Sequence, residues 1–95
     1  MANIIISTGD IKYDYDVIDT VFSLGTGEAG VFSSGSSNAF KDVKSKLISE
    51  CKKLGGDAVI FCQFEYRMAL GDGLFGKKQL VEIFAYGTAV RIRKN

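Results

Sequence analysis

One stretch, residues 40–64, limits what this chain can fold into more than any other. Its apolar residues recur mostly at steps of three and four, a spacing that places side chains on one face of a helix. Two glycines, Gly55 and Gly56, end the helical pattern, because glycine readily takes the left-handed conformation that closes a helix. The predicted apolar stripe consists of Phe40, Val43, Leu47, Ile48, Cys51 and Leu54. An apolar strand follows at once, so we expect the helix to cover a sheet.

Four strands are predicted around this helix, because β-branched and aromatic residues cluster there between turn residues. The expected strands are Asn3–Ser7, Ile11–Leu24, Ala58–Leu70 and Lys78–Arg93. The glycine- and serine-rich stretch Gly25–Asn38 predicts a mobile loop, and the helix is expected to begin at one of its last three residues. Gly71–Gly76 predicts a hairpin loop. The predicted fold class is α+β: a single domain, residues 1–95, with an antiparallel sheet and one amphipathic helix in the order β-β-α-β-β.

Both faces of the last two predicted strands are apolar, although one helix can cover only one of them. If the side chains of the third strand alternate strictly, its even-numbered apolar residues lie on one face of the sheet, and Val59 and Phe61 lie on the other. An uncovered apolar surface of this kind usually marks an interface, so we predict a homo-oligomer. The candidate interface residues are Val59, Phe61, Phe84 and Tyr86. The alternative is a monomer in which the Gly25–Asn38 loop folds over this face.

Composition excludes several classes of function. The formal net charge of +1 gives no electrostatic basis for binding nucleic acid or a membrane surface. The first residues lack the basic and long apolar segments of a signal peptide, and no stretch reaches the roughly 18 apolar residues of a membrane helix. We therefore expect a cytoplasmic protein whose two cysteines are reduced thiols. The absence of histidine excludes Ser-His and Cys-His nucleophiles, and we predict that the chain is not an enzyme.

Two segments match the pattern Gly-x-Gly-x-x-Gly, Gly25–Gly30 and Gly71–Gly76. A dinucleotide-binding fingerprint follows a parallel strand and opens directly into a helix. The second match leads into a strand, and the first is separated from the predicted helix by residues 31–37. Turn glycines explain both matches better, so no cofactor-binding residue is predicted and the identity of any cofactor is unknown.

Two groups of side chains could hold a metal ion. Cys51, on the helix stripe, and Cys62, on the following strand, could meet between helix and sheet and offer two thiolates to a thiophilic ion. A structural zinc site needs four ligands, however, and a buried cysteine more often acts as a small apolar side chain. The second group could gather a hard cation but is better explained as a solvated strand face; it comprises Asp10, Asp14, Asp16 and Asp19.

Three segments carry a resemblance to a known family. Lys52–Ile60 (KKLGGDAVI) is similar to the junction of helix and strand in the YbjQ-like family, which is described as heavy-metal-binding. Ala85–Ile92 (AYGTAVRI) is similar to the closing Gly-Thr-Ala-Val strand of that family, and Tyr15–Val21 (YDVIDTV) to its early strand. The resemblance implies a β-β-α-β-β subunit, similar to a dodecin subunit, in a ring-shaped homo-oligomer that is typically a pentamer. It implies no established activity.

Two hypotheses about function follow. In the first, the homo-oligomer binds a metal or a small ligand, with Cys51 and Cys62 as the candidate metal ligands. In the second, the chain is a structural or interaction module whose ring is the functional unit, without metal or catalysis. The expected partners are other copies of the chain and, under the first hypothesis, a thiophilic metal or a small ligand.

Overall fold

A computed structural model describes residues 3–28, 35–73 and 76–94 of the chain. Within these residues the elements follow the predicted order β-β-α-β-β. They are β1 (Ile5–Ile6), β2 (Tyr15–Glu28), α1 (Gly35–Lys53), β3 (Ala58–Gly73) and β4 (Gly76–Ile92). The predicted α+β fold class is confirmed.

The strands form one sheet in the order β1-β3-β4-β2. β4 runs antiparallel to both of its neighbours, whereas the short β1 runs parallel to β3. The sheet is therefore mixed rather than purely antiparallel. Because β2 and β3 run in the same direction with β4 between them, α1 crosses one face of the sheet to connect them. This crossover places the helix mainly over β2 and β4.

The bounds of several elements differ from those the sequence predicts: β1 is shorter, β2 begins and ends four residues later, and β3 and β4 are longer. β2 continues to Glu28 and α1 begins at Gly35, so the stretch Gly25–Asn38 is strand at one end and helix at the other. The prediction of a mobile loop is wrong at both ends, and its middle, residues 29–34, lies outside the described residues. β3 and β4 likewise extend through most of the predicted hairpin loop. In both places, pairing with a neighbouring strand overrides the weak preference of glycine for β-structure.

The end of α1 confirms the prediction for Gly55, which has a φ of +75°. Its amide donates a 3.0 Å hydrogen bond to the carbonyl of Lys52, and the amide of Gly56 donates one of 2.9 Å to the carbonyl of Cys51. This pair of bonds is typical of a helix closed by a left-handed residue. Gly56 also has no room for a side chain, because a Cβ there would lie 2.7 Å from Cys51 Sγ. The two glycines therefore determine how the chain leaves the helix and enters β3.

The buried face of α1 is narrower than the predicted stripe. The fully buried residues are Ala39, Val43, Leu47 and Cys51. Phe40 and Leu54, at the two ends of the predicted stripe, are both more than a third exposed. The helix thus docks through positions spaced four residues apart, and its flank around Phe40 stays accessible.

Small residues in β2 let the helix approach the sheet closely. Ser23 is buried, and its hydroxyl donates a 2.8 Å hydrogen bond to the carbonyl oxygen of Val43. A Cβ at Gly25 would lie 2.8 Å from the backbone nitrogen of Val43. Because the helix-side positions here must be small, the large neighbours Phe22 and Leu24 lie on the opposite face.

A β-bulge at Phe61 exchanges the two faces of β3. The register with β4 shifts between Ile60 and Gln63, and Phe61 has a φ of +50°. Val59 before the bulge and Cys62 after it both belong to the core under the helix, while Ile60 lies on the other side of the sheet. Strict alternation is therefore the wrong prediction for the start of this strand, because a bulge adds one residue to one strand of the pair.

Candidate functional site

The face of the sheet opposite α1 carries an exposed apolar surface, here called the open-face cluster. It consists of Phe22, Leu24, Phe84 and Tyr86, each more than a third exposed, with Phe22 at 67%. The strand register pairs Phe22 with Tyr86 and Leu24 with Phe84. The ring centroid of Phe84 lies 6.1 Å from that of Phe22 and 5.7 Å from that of Tyr86. The four side chains therefore form one continuous patch.

Charged side chains of β3 and β4 border the open-face cluster. Glu65 lies opposite Phe84 in the strand register, and Arg67 lies opposite Glu82. Arg67 and Glu82 form a salt bridge of 3.1 Å. A depression of about 700 Å³ lies between these charges and the side chains of Leu24 and Phe84. An apolar centre with a charged rim is typical of a protein–protein interface.

The chain itself covers the other end of this face. Ile11 and Tyr15 pack there against a small cluster formed by Ala58, Ile60 and Val90. Among the described residues, no comparable segment packs over the open-face cluster. The open-face cluster thus occupies the half of the sheet around Phe84.

The structure places the four predicted interface residues in three different environments. Phe84 and Tyr86 belong to the open-face cluster, and the side chain of Phe61 is 51% exposed at the bulge. Val59 is fully buried in the core of its own chain, so it is not available to a second copy. The bulge is the physical reason, because it turns Val59 toward the helix. An interface formed by the exposed residues stays a prediction.

Sequence reasoning missed Phe22 and Leu24 as exposed residues. The signal that could have found them is their alternation with Ser23, which is small and polar, and Gly25, which has no side chain. Large residues are usually assigned to the buried face, but a helix packed close to a strand requires small ones there.

The two cysteines lie in the core cluster between helix and sheet, as the sequence predicts. Both are free, fully buried thiols, and Cys51 Sγ donates a 3.6 Å hydrogen bond to the carbonyl oxygen of Ala58. Burial raises the pKa of both thiols, and the carboxylate of Asp57 raises the pKa of Cys51 further. At neutral pH both therefore keep their protons, whereas the form of cysteine that binds a metal is the thiolate.

Three of the four aspartates singled out in the sequence accept hydrogen bonds from different donors. Asp10 accepts a 2.8 Å hydrogen bond from the hydroxyl of Tyr15, and Asp16 accepts one of 3.0 Å from Nε of Arg93. The hydrogen bond from Arg93 lowers the pKa of Asp16. Asp19 accepts a bond from the amide of the next residue. In the described ranges, no three His, Cys, Asp or Glu side chains are grouped so that they could hold a metal ion.

Residues 3–93 match the sequence model of the YbjQ family, which is described as "Putative heavy-metal-binding". The chain belongs to the YbjQ family. This confirms the resemblance carried by the helix–strand junction and the closing strand.

One curated relative and one solved structure are similar to the YbjQ-family chain. A UPF0145 protein of Archaeoglobus fulgidus is 30% identical over 78 residues, which are 82% of this chain and 66% of that protein. The chain thus spans just under two thirds of that relative. A crystal structure of a protein of unknown function from Pediococcus pentosaceus, of the DUF74 family, superposes with a TM-score of 0.77. That match has 20% identity and covers 95% of this chain and 98% of the other, so it supports the fold alone.

The residues of this YbjQ-family chain do not fit a heavy-metal site within one subunit. The only thiols in the sequence are Cys51 and Cys62, and both are protonated and enclosed by apolar side chains. A thiophilic ion would have to displace both protons inside the core, and the described residues offer no third ligand. We therefore build no function on a metal.

No helix in the part of the chain that the structure describes is both long enough and apolar enough to cross a membrane.

Proposed function

We propose that the YbjQ-family chain is the subunit of a ring-shaped homo-oligomer, a pentamer as the resemblance implies, and that the ring is an interaction module. The proposal includes no catalysis and no metal, and it places the protein in the cytoplasm, where its free thiols stay reduced. The observation that carries it is the open-face cluster. Four neighbouring apolar side chains exposed on a small domain are costly to leave in water, and a second copy can cover them.

The free edges of the sheet support a cyclic arrangement. β2 is the outer strand on one side. On the other side, β1 pairs only with Ala58 and Val59, and the segment after β1 bonds to the amides of Phe61 and Cys62. From Gln63 onward, β3 has no neighbouring strand on that side among the described residues. Such unpaired edges are templates for pairing with another chain.

The directions of the two edge strands are compatible with a ring. β2 and β3 run in the same direction at opposite edges. A rotation about an axis along the strands would bring β2 of one copy beside β3 of the next without reversing either strand. Contacts of this head-to-tail type close into rings when the rotation completes a circle.

Native mass spectrometry of the purified protein tests the proposal, with the substitution Phe84→Glu as the probe. We expect one defined oligomer for the natural chain and a monomer for the variant, because a carboxylate in an apolar interface is desolvated without a partner. Leu54→Glu is the matched control, since Leu54 is exposed to a similar extent but lies at the end of α1. A natural chain that is monomeric at micromolar concentration would contradict the proposal.

A further inference from the structure

A second apolar surface lies on the helix side of the sheet, away from the open-face cluster. Because α1 lies mainly over β2 and β4, it leaves β3 uncovered beyond Phe64. A groove of about 800 Å³, here called the helix-side groove, runs between the flank of α1 and this part of β3. Its lining residues are Phe40, Lys41, Lys44, Ser45, Ile48, Tyr66 and Ile83.

The floor and inner wall of the helix-side groove are apolar. Ile83 is almost fully buried at its base, and the strand register places Tyr66 directly beside it. Phe40 packs against Phe64 with 4.8 Å between the ring centroids, which closes one end of the wall. Ligand sites in proteins commonly have volumes of about 300–1,000 Å³ and mostly apolar walls. The groove has the size and the lining of such a site.

The outer wall of the groove is cationic. Lys41 and Lys44 line it, and no acidic side chain is among the lining residues that the structure describes. The acids on the opposite flank of the helix are already paired, Asp42 with Lys46 at 2.9 Å and Glu50 with Lys53 at 3.2 Å. Lys44 Nζ lies 5.4 Å from the centre of the Phe40 ring, and among the described residues neither groove lysine has a carboxylate partner.

We propose that the helix-side groove binds an amphipathic organic anion, a carboxylate with an aliphatic or aromatic body. The body would lie along Phe40, Ile48 and Tyr66, where it buries apolar surface, and the carboxylate would lie between Lys41 and Lys44. The hydroxyl of Ser45 adds a hydrogen-bond donor on the same wall. This site uses residues of one subunit and lies on the other side of the sheet from the open-face cluster, next to the β3 edge that the proposed ring pairs with β2 of the next copy.

Isothermal titration calorimetry with decanoate tests the proposal, with acetate and 1-decanol as the two partial ligands. Acetate has the carboxylate without the long aliphatic chain, and decanol has the aliphatic chain without the charge. We expect saturable binding of decanoate, no measurable binding of acetate, and binding of decanol weaker than that of decanoate. Equal affinity for decanoate and decanol, or no binding of decanoate, would overturn the assignment.

Variants locate the site. Each of Lys41→Gln and Lys44→Gln is expected to weaken decanoate binding up to about fivefold, and the double variant about tenfold, as for exposed ion pairs. Tyr66→Ser is expected to weaken decanoate and decanol alike. Lys52→Gln is the matched control, because Lys52 is an exposed lysine of the same helix outside the groove. Weakening by Lys52→Gln equal to that by Lys44→Gln would overturn the proposal.

The same titrations on the Phe84→Glu variant separate this inference from the proposed ring. Binding that persists in a monomeric variant supports the groove as a site of the single subunit. Binding that is lost together with assembly contradicts the assignment to one subunit, and a natural monomer that still binds decanoate contradicts only the ring.

Discussion

Gly87 of β4 lies opposite the bulge that Phe61 makes in β3 and leaves the bulge the room it needs. Gly87 lies between the partners of Ile60 and Gln63, opposite the residue that the bulge inserts. A Cβ at Gly87 would lie 2.7 Å from Val59 Cγ1 and 3.2 Å from the Cα of Cys62. The glycine therefore gives β3 the space in which its two faces exchange.

Substitution of Gly87 should destabilise the fold. We expect Gly87→Ala to lower the free energy of unfolding by about 1–3 kcal/mol, the usual cost of forcing extra atoms into a packed core. Urea unfolding followed by circular dichroism measures it. Gly9→Ala is the control, because a Cβ there has nothing within 4 Å. Equal stability of the two variants would contradict this prediction and show that the side chains around Val59 move to make room for the added Cβ.

The left-handed backbone at Phe61 should carry a measurable strain. A φ of +50° costs a residue with a Cβ about 1–2 kcal/mol relative to glycine. We expect Phe61→Gly to be more stable than Phe61→Ala by about 1 kcal/mol, since both remove the ring and only glycine removes the strain. Comparison of their urea midpoints tests this. If Phe61→Ala is as stable as Phe61→Gly or more stable, the prediction is wrong and the backbone at this position relaxes to an unstrained conformation.

The two cysteines should behave as buried apolar side chains. Burial raises the pKa of both thiols, so we expect slow reaction with a thiol reagent such as DTNB at pH 7 in the folded state and fast reaction in urea. Elemental analysis of the purified protein should show no stoichiometric metal, and Cys51→Ala/Cys62→Ala should not change its metal content. One thiophilic metal per subunit, lost in this double variant, would contradict the prediction.

The ion pair between Asp16 and Arg93 should make the free energy of unfolding depend on pH in the acidic range. The hydrogen bond from Arg93 lowers the pKa of Asp16 below its ordinary value of 3.8. As the pH falls, the carboxylate of Asp16 is therefore protonated in the unfolded chain before it is protonated in the folded protein. The stabilisation by the ion pair is fully present above about pH 4 and is lost as the pH falls through the folded pKa. We expect Asp16→Asn to flatten the decline of stability in this range. Arg93→Gln should have the same effect, and a decline unchanged in both variants would exclude the pair as its source.

Local signals in the sequence were enough for much of the fold. The spacing of Val43, Leu47 and Cys51 and the stop at Gly55 depend on backbone geometry within a few residues, and both are confirmed. The two apolar faces of β4 were also predicted, because unbroken alternation there needs no information from other elements.

The candidate surfaces depended on contacts between distant residues. Whether Phe22 or Ser23 faces the helix was decided by the close approach of Val43, 20 residues away. The burial of Val59 was decided by the bulge at Phe61, which requires the space at Gly87.

By itself, the sequence determined the order of the elements, the amphipathic helix and its end, and an apolar surface larger than one helix can cover. Only the tertiary structure decided which residues form that surface and where the helix-side groove lies. The physical reason is that helix periodicity and caps are set by neighbours in the chain, whereas bulges and close helix–strand contacts are set by packing between elements.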